Sequence, residues 1–147
     1  MSILVAEGNK GLRELYQQIL SDYPILARSN AVDAYNSFFQ DTKNDKSIEL
    51  LVTGFVFGDS RINGLELAEL VRRCETNNSG IKVRRTPIIL VSSNVEVAQK
   101  PNLGDYVTML FGEPPNLKDF LRYVESLGLK KKQVYEQPRQ YCQAQAW

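Results

Sequence analysis

Residues 48–67 read IELLVTGFVFGDSRINGLEL and pass from a buried strand through a long loop into a helix. Leu50, Leu51 and Val52 are apolar without alternation, as in a strand covered on both faces. The run ends at Thr53 and Gly54, where polar and flexible residues take over. In an open parallel sheet the carboxyl ends of the strands are where ligands sit. Any chemistry in this chain should therefore lie around Gly54.

Upstream of this stretch, residues 3–6 form a short apolar run that stops at Glu7-Gly8-Asn9. Leu12, Leu15, Tyr16, Ile19 and Leu20 then recur at helical spacing, with Asn9 as the cap and Gly8 and Gly11 allowing a tight turn. Residues 25–27 read as a second strand. Ala31, Ala34, Tyr35 and Phe38 give a second helical face, capped by Asn30 or Ser29. The polar segment 41–47 is a loop.

Downstream, Leu67, Leu70 and Val71 mark the inner face of a helix behind Gly64. Residues 74–85, CETNNSGIKVRR, read as a long connection to a fourth strand at 87–91. Pro101 predicts a short or ragged helix at 95–100. Residues 106–111 read as the fifth strand. Leu117, Phe120, Leu121, Val124 and Leu127 give a last helix that starts near Asn116 and stops at Gly128. Five strands alternating with helices imply an α/β fold, a doubly wound five-stranded parallel sheet with flanking helices.

The chain of 147 residues is about one domain, and its 43% apolar and 24% charged content is ordinary for a globular protein. A net charge of +1 supplies no global field to steer nucleic acid or an acidic membrane. There is no histidine, and Cys74 and Cys142 lack metal-ligand spacing, which excludes zinc sites and histidine-based catalysis. The polar break after about six residues is too early for a signal or membrane segment, so the expectation is a cytoplasmic protein without a membrane contact. Residues 1–129 read as the folded domain. Residues 130–147 read as a basic, glutamine-rich mobile tail, with four basic residues against Glu136 and with Tyr135, Tyr141 and Trp147 available to dock.

Five segments in order, ILVAEGN, the Asn-Ala-x-x-Ala helix start, the strand ending at Gly54 with INGLEL, PIILVSS, and YVTMLFGEPPNLKDFL, together resemble the receiver domain of bacterial response regulators. The resemblance covers residues 3–127 and implies the flavodoxin-like fold. It also implies phosphoryl transfer to an aspartate after the third strand, supported by an acidic pair that holds magnesium, a hydroxyl after the fourth strand and a lysine after the fifth. The ion and the lysine would neutralise charge on the transferring group.

Matched position by position, the acidic pair is Glu7-Gly8, the acceptor is Gly54 and the hydroxyl is Ser92. The lysine position falls on Met109 or on Glu113, with Glu113 preferred because Pro114 follows it. The switch aromatic falls near Tyr106 or Leu110. Asp59, in a loop two residues longer than the family's, is an alternative acceptor, although a turn role suits it better. Glu7 alone makes a poor magnesium site, and Glu113 repels a phosphoryl donor. The expected protein is a degenerate receiver, or pseudo-receiver: not an enzyme, without cofactor or metal, and acting through a protein partner or a second copy of itself.

By the same resemblance the docking face holds Tyr106, Lys118, Arg122 and Tyr123. Phe55 and Phe57, read as exposed, are candidates for covering the vacant pocket or for contacting the partner, and Tyr141 and Trp147 are candidates in the tail. A nucleic-acid accessory role is the second reading. It rests on Arg72, Arg73, Lys82, Arg84 and Arg85 together with Lys130–Lys132.

Overall fold

The computed structural model describes residues 2–43, 48–58, 61–77 and 85–132. Its centre is a parallel sheet in the order β2-β1-β3-β4-β5, with β1 at Ser2–Ala6, β2 at Ile25–Arg28, β3 at Ile48–Gly54, β4 at Ile88–Val91 and β5 at Met109–Phe111. The expected fold class is the one observed. Because β1 and β3 are neighbours that lead to opposite edges of the sheet, their carboxyl ends form the topological switch point, the natural crevice of such a fold.

Alternation along the strands divides the core in two. Leu4 and Ala6 of β1, Leu51 of β3, and Ile88 and Leu90 of β4 face helices α2 (Ala31–Lys43) and α3 (Gly64–Asn77) through Ala34, Phe38, Leu67 and Val71. Ile3, Val5, Leu50, Val52, Ile89 and Val91 face α1 (Lys10–Ile19) and α6 (Leu117–Ser126) through Tyr16, Leu20, Phe120 and Val124. Helix starts follow the caps: Asn9 accepts from the Leu12 N–H, Asn30 from the Asp33 N–H and Asn116 from the Asp119 N–H. The start of α3 carries a reciprocal box that the sequence reading passed over. The Glu66 N–H donates to the Asn63 side chain, and the Asn63 N–H donates to Glu66.

Several boundaries differ from expectation. Helix α2 extends to Lys43, into the polar segment 41–47 expected to be a loop, and β4 starts at Ile88 rather than at Pro87. Helix α3 runs on to Asn77 because Cys74 continues the buried row of Leu67 and Val71. The fifth strand begins at Met109 rather than Tyr106, and the chain around Pro101 forms two one-turn helices, α4 at Val95–Ala98 and α5 at Leu103–Tyr106. Proline ends the first of these, and Arg72 and Arg85 seize the carbonyls of Gly104, Asp105 and Tyr106, so those residues are helical and the strand starts later. The start of the tail is packed on the body: Leu129 is buried, the Lys132 N–H donates to the Asp22 carbonyl, and the Lys131 ammonium lies 6.0 Å from the Tyr23 ring centre. The rest of the tail, with Tyr141 and Trp147, lies outside the described residues, as do Asp59, Lys82 and Arg84.

Candidate functional site

Glu7 leaves β1 at the switch point. Its backbone is fixed at both ends, the N–H donating to the Arg28 carbonyl at 3.0 Å and the carbonyl accepting from Arg13 Nη1 at 2.8 Å. The side chain therefore turns inward, where it is 4% exposed and Oε2 accepts from the Asn9 N–H at 3.1 Å. Burial raises the pKa of this carboxyl from its ordinary value, and the charge of Glu113 adds to the effect. The Asn9 and Gly8 backbone groups and Arg13 oppose it.

The inward turn of Glu7 depends on the absence of a side chain at position 54. A Cβ on Gly54 would stand 2.9 Å from Glu7 Oε1 and 3.2 Å from its Cδ and Oε2, so a side chain there would require the Glu7 carboxylate to shift. The glutamate carboxylate thus occupies the space in which an acceptor side chain would begin. Ser92 follows β4, is buried, and accepts from the Asn94 N–H at 3.0 Å, so its oxygen serves the turn into α4.

Of the two alternatives for the lysine position, Met109 pairs with Ile89 at the start of β5, and Glu113 follows the end of β5, where its charge contributes to raising the pKa of Glu7 and Tyr16. Tyr16 was not singled out in the sequence, where it counts only as a core position on α1. Its hydroxyl is buried without a hydrogen-bond partner among the described residues, and desolvation with the two glutamate charges pushes its pKa far up. Magnesium does not fit this residue set. Gly8 and Gly54 offer no ligand, Glu7 is turned inward, and among the described residues no group of three histidine, cysteine or acidic side chains could hold a metal.

The loop after β3 corrects one expectation. Phe57 is 4% exposed and lies beside Gly8, whose Cβ would come within 3.7 Å of the Phe57 backbone, and Phe55 is half-buried against the same core. Val56 between them is 73% exposed. Both aromatics thus pack toward the core, Phe57 fully and Phe55 in part, while the valine between them faces solvent.

The docking residues expected on one face fall into two places. Arg122 and Tyr123 line a shallow groove of about 390 Å³ with Met109 and Phe111, and the Tyr123 ring stands 6.2 Å from that of Phe111. Lys118 is exposed on the same helix. Tyr106 instead lines a separate cavity of about 180 Å³ between α3 and α5, with Leu65, Glu69 and Leu103.

Two of the three described members of the basic cluster, Arg72 and Arg85, bond to backbone carbonyls. Arg72 is paired with Glu75 at 2.8 Å and bonded to the Thr86 and Tyr106 carbonyls. The exposed Arg85 donates to two further carbonyls, which leaves Arg73 as the exposed member not so engaged among the described residues. Arginine at a strand-connecting helix can serve either solvent or backbone carbonyls, and sequence spacing does not separate the two.

No family model matches the chain, and no curated protein matches its sequence. Solved structures do resemble it. A response regulator receiver domain protein from Clostridium thermocellum is 12% identical with a TM-score of 0.67, over 85% of this chain and 91% of that one. The Vibrio cholerae chemotaxis protein CheY4 is 14% identical with a TM-score of 0.63, over 85% and 96%. The receiver domain of the hybrid histidine kinase CckA is 16% identical with a TM-score of 0.62, over the same shares. Together with the sheet order and the switch-point crevice, these likenesses show that this chain has the flavodoxin-like fold of response regulator receiver domains.

Proposed function

We propose that this chain is a receiver-fold signalling module that acts by binding a protein partner in the cytoplasm and does not accept a phosphoryl group. The observation that carries this reading is the Glu7 carboxylate in the space beside Gly54. An acceptor needs an exposed oxygen nucleophile, a cation against the leaving oxygens and a lysine or its equivalent. The pocket offers a glycine, an inward-turned glutamate and a second glutamate at the lysine position. Each change removes attraction for a phosphoryl donor, and Glu113 adds repulsion.

The partner surface in this reading is the β5–α6 groove with Arg122 and Tyr123, flanked by Lys118, with Tyr141 and Trp147 of the tail as further contacts. Aromatic and arginine side chains together are the usual anchors of such contacts. The nucleic-acid reading loses support, because Arg72 and Arg85 are engaged with backbone carbonyls.

The test is incubation of the full chain with a small-molecule phosphodonor and magnesium, followed by mass spectrometry, with a beryllofluoride arm followed by amide NMR. The expected result is no covalent mass increase and no shifts centred on Gly54. Gly54→Asp is expected to stay unlabelled as well, because a restored acceptor still lacks the cation site and faces Glu113. Stable labelling of the wild type, at Asp59 or at any other residue, would remove the reading.

A further inference from the structure

Pro101 divides the chain after β4 into two one-turn helices, and a cavity of about 180 Å³ lies between the second of them, α5, and the long helix α3. Leu65 and Glu69, one turn apart on the same face of α3, form one wall. Leu103 and Tyr106 of α5 form the other, and Lys100 and Asn102 are exposed at the rim. An apolar cavity of about 150 Å³ admits a benzene-sized ring. Cofactor-sized ligands take pockets of roughly 300 Å³ or more, so this one suits a small organic molecule.

The walls are held in place. A helix of four residues has little stability of its own, yet the carbonyls of α5 are tied down: Arg85 Nη2 donates to Gly104 and Asp105, each at 3.1 Å, and Arg72 Nε donates to Tyr106 at 3.2 Å. On the other side, Leu65 is 4% exposed and packed in the core. A pocket braced in this way binds without the entropy cost of ordering its walls.

Two charges of opposite sign line the cavity, and neither is answered within the protein. The half-buried Glu69 side chain makes no ion pair and no hydrogen bond among the described residues, and Arg72, the next cation along α3, is committed to Glu75. The Lys100 side chain is equally without a partner among the described residues, and the two do not pair with each other. A carboxylate partly withdrawn from water against leucine side chains favours a cationic hydrogen-bond donor, and the ammonium at the rim favours an anion. Apolar walls with a few polar groups of fixed position are the usual make-up of a small-molecule site.

We propose that this cavity binds an α-amino acid with an apolar side chain. The ligand's ammonium group meets Glu69, its carboxylate meets Lys100, and its side chain lies among Leu65, Leu103 and Tyr106. A simple amine leaves Lys100 unanswered and a simple acid leaves Glu69 unanswered, whereas a ligand with both charges on one carbon skeleton satisfies the two together. The site uses none of the crevice residues Glu7, Gly54, Ser92 and Glu113, so this inference does not depend on whether the crevice accepts a phosphoryl group.

The test is amide NMR of the full chain titrated with L-leucine and with L-phenylalanine. Glycine, 3-methylbutylamine and 4-methylpentanoate serve as controls that lack the apolar body, the carboxylate and the ammonium group in turn. Both apolar amino acids are expected to give saturable shifts centred on Leu65, Glu69, Leu103 and Tyr106, and each control to bind about tenfold more weakly or worse, as loss of a charge-assisted contact or of the buried side chain implies. Glu69→Gln and Lys100→Gln are each expected to weaken leucine binding about tenfold while leaving the rest of the spectrum in place. Absence of saturable shifts with both amino acids, an amine or acid that binds as tightly as leucine, or leucine binding unchanged in either variant would overturn the assignment. Should Glu69→Gln disturb α3, Lys100→Gln decides alone, because Lys100 is exposed and its substitution leaves both walls intact.

Discussion

Arg72→Ala is expected to destabilise the fold by about 3 kcal/mol or more, because removing one member of a buried ion pair leaves the other charge unpaired. Both side chains are deep, 11% exposed for Arg72 and 7% for Glu75. Glu75 would retain only the Thr86 N–H, and the carbonyls of Thr86 and Tyr106 would lose a donor. The guanidinium thus ties three elements, joining α3 to the entrance of β4 and to the end of α5. Urea denaturation of the single variants and of Arg72→Ala/Glu75→Gln tests this. The neutralised double variant should recover part of the loss, since the stranded charge is gone. Losses that simply add to within about 0.5 kcal/mol would mean that the pair is not coupled and the clamp is wrong.

The second large effect is expected at Gly64, the first residue of α3. A Cβ there would lie 1.9 Å from the Gly54 carbonyl oxygen and 3.0 Å from Leu90 Cδ1. The obstructing atom is backbone in a buried central strand, so no rotamer change can make room. Overpacking of this kind costs about 3 kcal/mol at the upper end of its usual range. Helix propensity works the other way, since alanine is better than glycine by about 1 kcal/mol in a helix interior. A melting temperature for Gly64→Ala roughly 10 °C or more below the wild type would accord with the steric conflict. Gly104→Ala, where a Cβ would meet nothing within 4 Å, is the control and should melt close to the wild type. Equal melting of Gly64→Ala and wild type would show that α3 sits further from β3 than described here.

Both positions illustrate how far the chain could be read without its structure. The apolar runs at 3–6, 50–52 and 88–91 could be assigned because strands covered on both faces have few other ways to be written. The asparagine caps at 9 and 116 were equally legible, since a side-chain oxygen bonding two or three residues ahead is a local event. The fifth strand starts at Met109 rather than at 106, where Arg72 and Arg85 hold the carbonyls of residues 104–106 through bonds that reach 34 and 19 or 20 residues along the chain. Nothing in residues 103–108 encodes those partners.

For the candidate site, the sequence by itself determined which groups are present: a glycine at 54, a single acid at 7, a serine at 92 and an acid at 113. That inventory already argues against phosphoryl chemistry, because chemistry needs functional groups and these are named by the residues. Only the tertiary structure decided what the groups do to one another. It turned Phe57 inward over Gly8 and placed the Glu7 carboxylate in the volume that Gly54 leaves open. The physical reason is the difference between composition and distance. Burial and steric exclusion depend on separations of a few ångströms between residues 47 positions apart, and those separations exist only once β1 and β3 meet at the switch point.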